Sequence, residues 1–272
     1  MGKNKNVVKI VVIFTSVTAL ITLIFMLIST YFSQKDRMVI DGDTLQLVQL
    51  EEPEEGDPIA VIETSLGQMR MVLYPEYAPA SVANFIELAE SGYYDDTYVF
   101  HSEDGVYSAM GSKLKNGTMP DGYDKSKELI QRELHQNLWP FKGAVCSLNT
   151  TVDRGLKEMF FGGGTYYCGS RLAVINSIEF TDEIKTELLQ VSGSEAVAEA
   201  FIKNGGIPNF SQQMTVIGQI YEGLDVVEAL ASLETEFSEN DTYKIPKDDV
   251  KIISVEIGEY EKENESSENT EK

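Results

Sequence analysis

The N-terminal part of the chain contains a long apolar run. The 25 residues from Ile10 to Gln34 include no charged side chain, and Lys3, Lys5 and Lys9 precede them. About 20 apolar residues in a helix are enough to cross a bilayer core of ~30 Å. The pattern therefore predicts a transmembrane helix within residues 1–34. The preceding lysines place the N-terminus in the cytoplasm and the rest of the chain outside the membrane.

A cleaved signal peptide is the competing interpretation of this run. The run is longer than the apolar part of a signal peptide, and no small-x-small cleavage pattern ends it. Lipid anchoring finds no support, because no cysteine lies near the run and Asn6 occupies the position where a myristoylation signal has Ser or Thr. We therefore expect an uncleaved signal anchor and a single-pass protein of the cell membrane.

Polar segments flank a single folded region. Residues 35–58 are polar and end in EEPEEGDP, which predicts an acidic linker, and residues 261–272 predict a disordered acidic tail. Between them, residues 59–260 form the predicted domain, with two insertions at about 150–168 and 181–204. The first insertion is rich in glycine and aromatic residues, and the second has helical periodicity.

Hydrophobic alternation inside the domain predicts mostly β-structure. A hairpin is expected from residues 59–63 and 67–74, and further strands at 98–101, 143–148, 170–175, 215–220 and 251–257. One helix is predicted to begin at Pro79 and to end at Gly92, and another covers 224–230. Many short strands with two helices indicate a β-barrel or closed sheet with helices at its ends.

Composition narrows the classes of partner. The chain has 22 Lys and Arg residues against 44 Asp and Glu residues, a net charge of −22. So acidic a chain lacks the basic surface that nucleic acid requires, so no nucleic-acid partner is expected. Cys146 and Cys168 have no neighbouring histidine, so neither a zinc site nor any cofactor is expected. The sequence leaves open whether the two cysteines pair, and it does not give the oligomeric state.

Four motifs, in order, resemble cyclophilin-type peptidyl-prolyl cis-trans isomerases. The first is TSLGQMRMVLYPEYAPASVANFIELAESGYYDDTYVFH, which carries Pro-x-x-Ala-Pro, Val-x-Asn-Phe, Gly-Tyr-Tyr-Asp and Phe-His. The others are KGAVCSLN, GSRLAVI and GGIPNFSQQMTVIGQIYEGLDVVEAL. The similarity covers about 59–258. It implies a closed eight-stranded antiparallel β-barrel capped by two α-helices, to which this chain adds a transmembrane helix and a helical insertion.

The resemblance also implies a chemistry. Family members rotate X-Pro bonds in polypeptides, against a barrier of ~18–20 kcal/mol for an ordinary peptide bond. A pocket holds the proline ring, and an arginine donates to the substrate backbone. Polypeptide segments, including those that contain proline, are therefore the implied partners.

The implied site differs from the family pattern at most positions. The arginine that follows Phe-His in the family is Ser102 here, and the pocket histidine is Met214. Arg171 stands where the family has a glutamine and is the candidate for a relocated catalytic donor; the alternative is an arginine that faces solvent or pairs with a carboxylate. The implied substrate-binding positions are Ser102, Tyr107, Met110, Asn149, Leu172, Ala173, Phe210 and Met214.

The two histidines offer no independent catalytic centre. His101 matches a framework position, and His135 lies in a polar segment. A His101–Ser102 dyad is disfavoured because adjacent strand residues point to opposite faces. Three functions remain. The first is a membrane-anchored isomerase, active or weakly active, that assists proteins folding outside the membrane. The second is a non-catalytic module that binds extended or Pro-containing segments, and the third is a scaffold in a membrane complex that uses the two insertions.

Overall fold

A computed structural model describes residues 22–23, 38–118, 130–155, 164–191, 193–238 and 243–262. The chain forms two compact units. The main unit consists of Met38–Thr151 and Tyr166–Lys272, and the second consists of Met1–Arg37 and Val152–Thr165. The predicted membrane span lies outside the described residues except for Thr22 and Leu23, and no helix within the described ranges is long and apolar enough to cross a membrane. Most of the predicted C-terminal tail also lies outside these residues.

The main unit is built on a curled sheet. Its strands are β1 (Pro58–Thr64), β2 (Gly67–Leu73), β3 (Tyr98–Glu103), β4 (Tyr107–Ser112), β5 (Ile130–Gln131), β6 (Ala144–Asp153), β7 (Thr165–Ile175), β8 (Thr215–Glu222) and β11 (Ile252–Glu259). Their order is β11-β1-β2-β8-β6-β7-β4-β3, and β5 pairs with β7. The pairs whose register is described, among them β1 with β2 and β4 with β7, are antiparallel.

The sheet is a curled antiparallel half-barrel, whereas the sequence predicted a closed barrel. Among the described residues, an isolated bridge between Tyr98 and Lys251 links the two ends of the sheet. Two backbone hydrogen bonds flank this bridge, from Val99 N to Val250 O at 2.8 Å and from Ile252 N to Thr97 O at 2.9 Å. Curvature thus brings the ends together without a continuous ladder between β3 and β11.

Two helices pack on the inner face of the sheet. α1 (Pro79–Glu90) begins with a proline, and the Glu133 carboxylate accepts hydrogen bonds from the free N–H groups of Ala80 and Ser81. α4 (Leu224–Ala231) begins after Gly223, whose φ of 85° is left-handed. This turn connects β8 to α4 and packs against β2. A Cβ at Gly223 would lie 2.4 Å from Gln68 O, so only glycine fits there.

The helical insertion forms two helices, α2 (Asp182–Val191) and α3 (Glu195–Asn204). After α4, β9 (Thr235–Phe237) and β10 (Lys244–Pro246) form a separate two-stranded sheet. The backbone N–H of Lys244 donates a hydrogen bond to His101 Nδ1, which connects this sheet to β3. The β9–β10 sheet therefore lies beside the part of the molecule that carries the candidate site.

Residues 38–58, which the sequence predicted to be part of a linker, pack against the domain. Gln49 is 4% exposed, and its side chain donates to Trp139 O at 2.9 Å and accepts from Trp139 N at 2.5 Å. Met38, Ile40, Leu45 and Leu47 pack on a small core around Trp139, Phe141 and Phe201. Residues 38–58 thus form part of the folded unit, because they bury apolar side chains and satisfy buried backbone groups.

Candidate functional site

An apolar cluster on the face of the sheet opposite α1 and α4 holds four of the predicted site residues. We call it the outer cluster. The four predicted residues in it are Tyr107, Ala173, Phe210 and Met214. The rings of Tyr107 and Phe210 meet edge to face, with centroids 5.4 Å apart and an interplanar angle of 80°. Tyr107, Phe210 and Met214 are partly exposed, so the cluster presents an apolar surface to solvent.

Leu172 and Met110 do not belong to this surface. They are 1% and 0% exposed and pack in the inner core with residues of α1 and α4. Side chains along a strand alternate between faces, so Leu172 and its neighbour Ala173 cannot line the same groove. The predicted substrate-binding role of Leu172 and Met110 therefore does not fit their position.

Ser102 also points away from the outer cluster. Its side chain is 1% exposed, and its hydroxyl donates to Leu230 O of α4 at 2.8 Å. The β3–β4 register shifts between Val99 and His101, which marks a β-bulge at Phe100. The position that corresponds to the family arginine thus faces the helix side of β3.

The side chain of His101 lies on the side of β3 that faces Tyr107 of the outer cluster. Its ring lies 5.0 Å from that of Tyr107 and 6.0 Å from that of Tyr243. Because Nδ1 accepts a hydrogen bond from Lys244 N at 2.9 Å, the neutral ring carries its proton on Nε2. Nε2 has no hydrogen-bond partner within the described residues and lies 3.8 Å from Glu103 Oε2.

Burial sets the charge of this imidazole. Desolvation lowers the pKa of His101, the nearby Glu103 carboxylate opposes this shift, and Lys244 adds to it. Burial also raises the pKa of the Tyr107 phenol, and Glu103 and Tyr243 act in the same direction. Both rings are therefore neutral near pH 7 and act as uncharged donors and acceptors. Sequence reasoning assigned His101 to the framework; the bulge that turns it toward Tyr107 has no sequence signal that we recognise.

Arg171 is engaged by other parts of the chain. Its Nη1 donates to Gly117 O at 2.9 Å and to the Tyr243 hydroxyl at 3.1 Å. The guanidinium also lies 5.8 Å from the centroid of the Phe100 ring. These contacts hold the guanidinium against the β9–β10 sheet and the loop at Gly117 and use its Nη1, while Nε is buried without a hydrogen-bond partner among the described residues.

Asn149 holds the loop that carries Met214 of the outer cluster. Its Nδ2 donates to Gln213 O at 2.7 Å, next to Met214 in the chain. A cavity of about 10 Å³ lies between this loop and the N-terminal segment, with Met38, Cys146 and Met214 among its lining residues. Met38 N donates to Gln212 Oε1 at 3.0 Å. The space beneath Met214 is therefore about as small as one water molecule.

The remaining candidate groups are structural in their contacts. Cys146 and Cys168 are free and buried, and burial raises the pKa of both thiols. His135 stacks on Tyr77, with ring centroids 4.5 Å apart. No group of three or more His, Cys, Asp or Glu side chains that could hold a metal ion occurs in the part of the chain that the structure describes.

Comparisons with known proteins agree on one family. The family model described as "Cyclophilin type peptidyl-prolyl cis-trans isomerase/CLD" matches residues 59–161. A "Putative peptidyl-prolyl cis-trans isomerase" of Staphylococcus saprophyticus is 27% identical over 206 residues, which are 75% of this chain and 97% of the relative. A "Putative bifunctional phosphatase/peptidyl-prolyl cis-trans isomerase" of Streptococcus pyogenes is 29% identical over 215 residues. That match covers 78% of this chain but only 41% of the relative's length.

A solved structure gives the same fold. The cyclophilin-type isomerase of Cryptosporidium parvum, crystallised in the presence of the dipeptide Ala-Pro, aligns with a TM-score of 0.51 at 16% identity. The alignment covers 74% of this chain and 98% of the solved chain. The family model and the curated relatives thus show which proteins this chain resembles, and the solved structure shows that it shares their fold.

Proposed function

We propose that this chain is a membrane-anchored, extracytoplasmic cyclophilin-type protein that binds Pro-containing polypeptide segments and has weak or no isomerase activity. The observation that carries the proposal is that the outer cluster and the Ser102 side chain lie on opposite faces of the sheet. The outer cluster around Tyr107 and Phe210 remains available to an apolar ring, whereas the position of the family arginine, Ser102, faces the helix side. The similarity to the family model and to the curated relatives supports the isomerase part of the proposal, and the solved structure supports the fold.

Binding rests on the outer cluster. A prolyl ring is apolar and rigid, and it gains by contact with the half-buried faces of Tyr107, Phe210 and Met214. Ala173 is fully buried beneath this surface and adds no bulk to it. Since the cavity beneath Met214 has only about 10 Å³, we expect the substrate to lie on this surface rather than in a deep pocket.

Weak catalysis is expected because Ser102 provides no charged hydrogen-bond donor for the substrate backbone. Rotation about the X-Pro bond is helped by a charged donor aimed at the substrate backbone, and Ser102 cannot supply one. Arg171 donates to Gly117 O and to Tyr243 instead. Removal of one preorganised donor costs on the order of 10²–10³ in rate. His101 Nε2–H is buried and uncharged, so it does not replace a charged donor that reaches the substrate.

The test uses the full chain in lipid nanodiscs. A labelled Ala-Pro peptide and a matched Ala-Ala peptide are titrated, and isomerisation of the Ala-Pro bond is followed in parallel. We expect preferential binding of the Pro peptide, weakened about tenfold or more by Phe210→Ala, with isomerisation near the uncatalysed rate. Ile253→Ala is the control, because Ile253 is 51% exposed on β11 and does not belong to the outer cluster. Equal affinity for the two peptides, or an isomerisation rate far above background, contradicts the proposal.

The anchor is tested separately in cells. The apolar run in 1–34 and the lysines before it support an orientation with the domain outside. We expect the protein to stay in the membrane fraction after alkaline extraction and to be digested by protease added to intact cells. Recovery of the chain from the soluble fraction, or protection from external protease, contradicts this topology.

A further inference from the structure

A groove of about 340 Å³ lies away from Ser102 and Arg171, between the segment at residues 48–58 and the turn that follows β2. Carboxylates line it from both sides: Glu51, Glu52, Glu54, Asp57 and Glu76. None of its described lining residues is a lysine, arginine or histidine. Of the five, Asp57 is bound within the chain, because its carboxylate accepts a hydrogen bond from Glu54 N at 2.8 Å. This groove therefore concentrates negative potential that the described residues leave uncompensated.

A buried phenol points to an absent ligand at the same place. Tyr74 lines the groove and is 8% exposed, yet its hydroxyl has no hydrogen-bond partner among the described residues. Burial raises the pKa of Tyr74, and the nearby carboxylates of Asp57 and Glu51 raise it further. A buried hydroxyl without a partner destabilises the fold, so such a group calls for an explanation.

The groove also has an apolar lining. Val48, Pro53, Val72 and Pro75 line it together with the carboxylates, and Val48 and Val72 belong to the same apolar cluster as Tyr74. Lysine and arginine combine an aliphatic stem with a charged head, so they match an apolar lining beside carboxylates. A metal ion is a poor match, since no set of three or more ligating side chains converges within the described ranges.

We propose that this groove binds a basic polypeptide segment, with a lysine or arginine side chain lying over Val72 and its cationic head bonded to the Tyr74 hydroxyl and the surrounding carboxylates. Tyr74 and Tyr77, whose rings are 6.4 Å apart, form the wall on one side. The site is distinct from the surface at Phe210, and both lie along the same apolar face of the sheet. A partner with basic residues would thus have a contact on this protein besides the one proposed for proline.

The experiment measures binding of a labelled, proline-free Lys-Ser peptide to the full chain in nanodiscs of uncharged lipid. A Glu-Ser peptide of the same length is the control ligand. We expect the Lys-Ser peptide to bind and the triple variant Glu51→Gln/Glu52→Gln/Glu76→Gln to weaken it about tenfold. The matched control is Glu90→Gln/Glu187→Gln/Glu199→Gln, which removes three exposed carboxylates outside the groove and should change affinity less than twofold.

A second variant isolates the phenol. Tyr74→Phe should weaken the peptide about threefold or more while the melting temperature stays the same or rises, because the variant removes an unsatisfied buried hydroxyl. Tyr221→Phe, a phenol outside the groove, should leave affinity unchanged. Equal weakening by the two charge triples shows a net-charge effect and overturns the proposal, as does full affinity in Tyr74→Phe. Phe210→Ala should leave Lys-Ser binding intact, so this proposal and the proposed function can fail independently.

Discussion

The centroid of the His101 ring lies 5.0 Å from that of Tyr107, a residue of β4 that belongs to the outer cluster. The next residue, Ser102, is turned to the other face and is bonded to Leu230 of α4. A register shift beside Phe100 accompanies this arrangement. At this position the chain differs from the pattern that it resembles by more than one side chain. The backbone turns His101, and not Ser102, toward Tyr107 of the outer cluster.

We predict that Ser102→Arg does not restore isomerase activity. An arginine at this position would have to bury its charge beside Leu230, where Ser102 is now 1% exposed. A buried charge without a partner costs several kcal/mol, so we expect unfolding to become easier by more than about 3 kcal/mol. Ser102→Ala, which loses one hydrogen bond, should cost about 1 kcal/mol. Urea titrations give both values, and a stable Ser102→Arg protein with a raised isomerisation rate would refute the assignment of faces.

His101 should make the fold sensitive to mild acid. Its pKa in the folded protein lies below the value of about 6.5 expected in an unfolded chain, so the unfolded state takes up the proton first. Stability that is present above pH ~6.5 is then lost as the pH falls toward the folded pKa. In His101→Asn, the amide oxygen can still accept from Lys244 N, and the group no longer titrates. Melting temperatures between about pH 7 and 5 should fall less in this variant than in the parent; identical profiles would contradict the prediction.

Arg171 should contribute to stability more than to substrate handling. Arg171→Ala removes hydrogen bonds to Gly117 O and to Tyr243, for an expected loss of about 1–2 kcal/mol in unfolding free energy. Tyr243→Phe removes one of these bonds and should cost less. If the two residues act together, the double variant costs less than the sum of the single ones. Binding of the Ala-Pro peptide should be unchanged throughout; a large loss of binding in Arg171→Ala alone would instead assign the arginine to the site.

The domain should need residues before Ile59. Gln49→Ala leaves Trp139 N–H and C=O without their partner and should cost about 2–4 kcal/mol. Val39→Ala is the control, since Val39 is 86% exposed and its truncation should be close to neutral. Equal stability of Gln49→Ala and the parent would show that residues 38–58 act as a linker after all.

Local patterns in the sequence were sufficient for much of the fold. The β1–β2 hairpin follows from alternating apolar residues around a short turn, and α1 follows from Pro79 and an apolar stripe that includes Val82 and Phe85. The helical insertion follows in the same way and divides into α2 and α3. These features depend on residues a few positions apart, so their signals lie within short windows of sequence.

Only the tertiary structure decided which residues meet at the site. A bulge at Phe100 turned His101 to the groove and Ser102 away from it, strand alternation separated Leu172 from Ala173, and the β9–β10 sheet engaged Arg171. Such outcomes depend on contacts between residues far apart in the chain, such as Arg171 with Tyr243 or Gln49 with Trp139. The sequence by itself determined the elements and the chemistry available to them. Which face and which partner each side chain received was settled by packing, because a shift of one residue along a strand reverses the face of every side chain that follows.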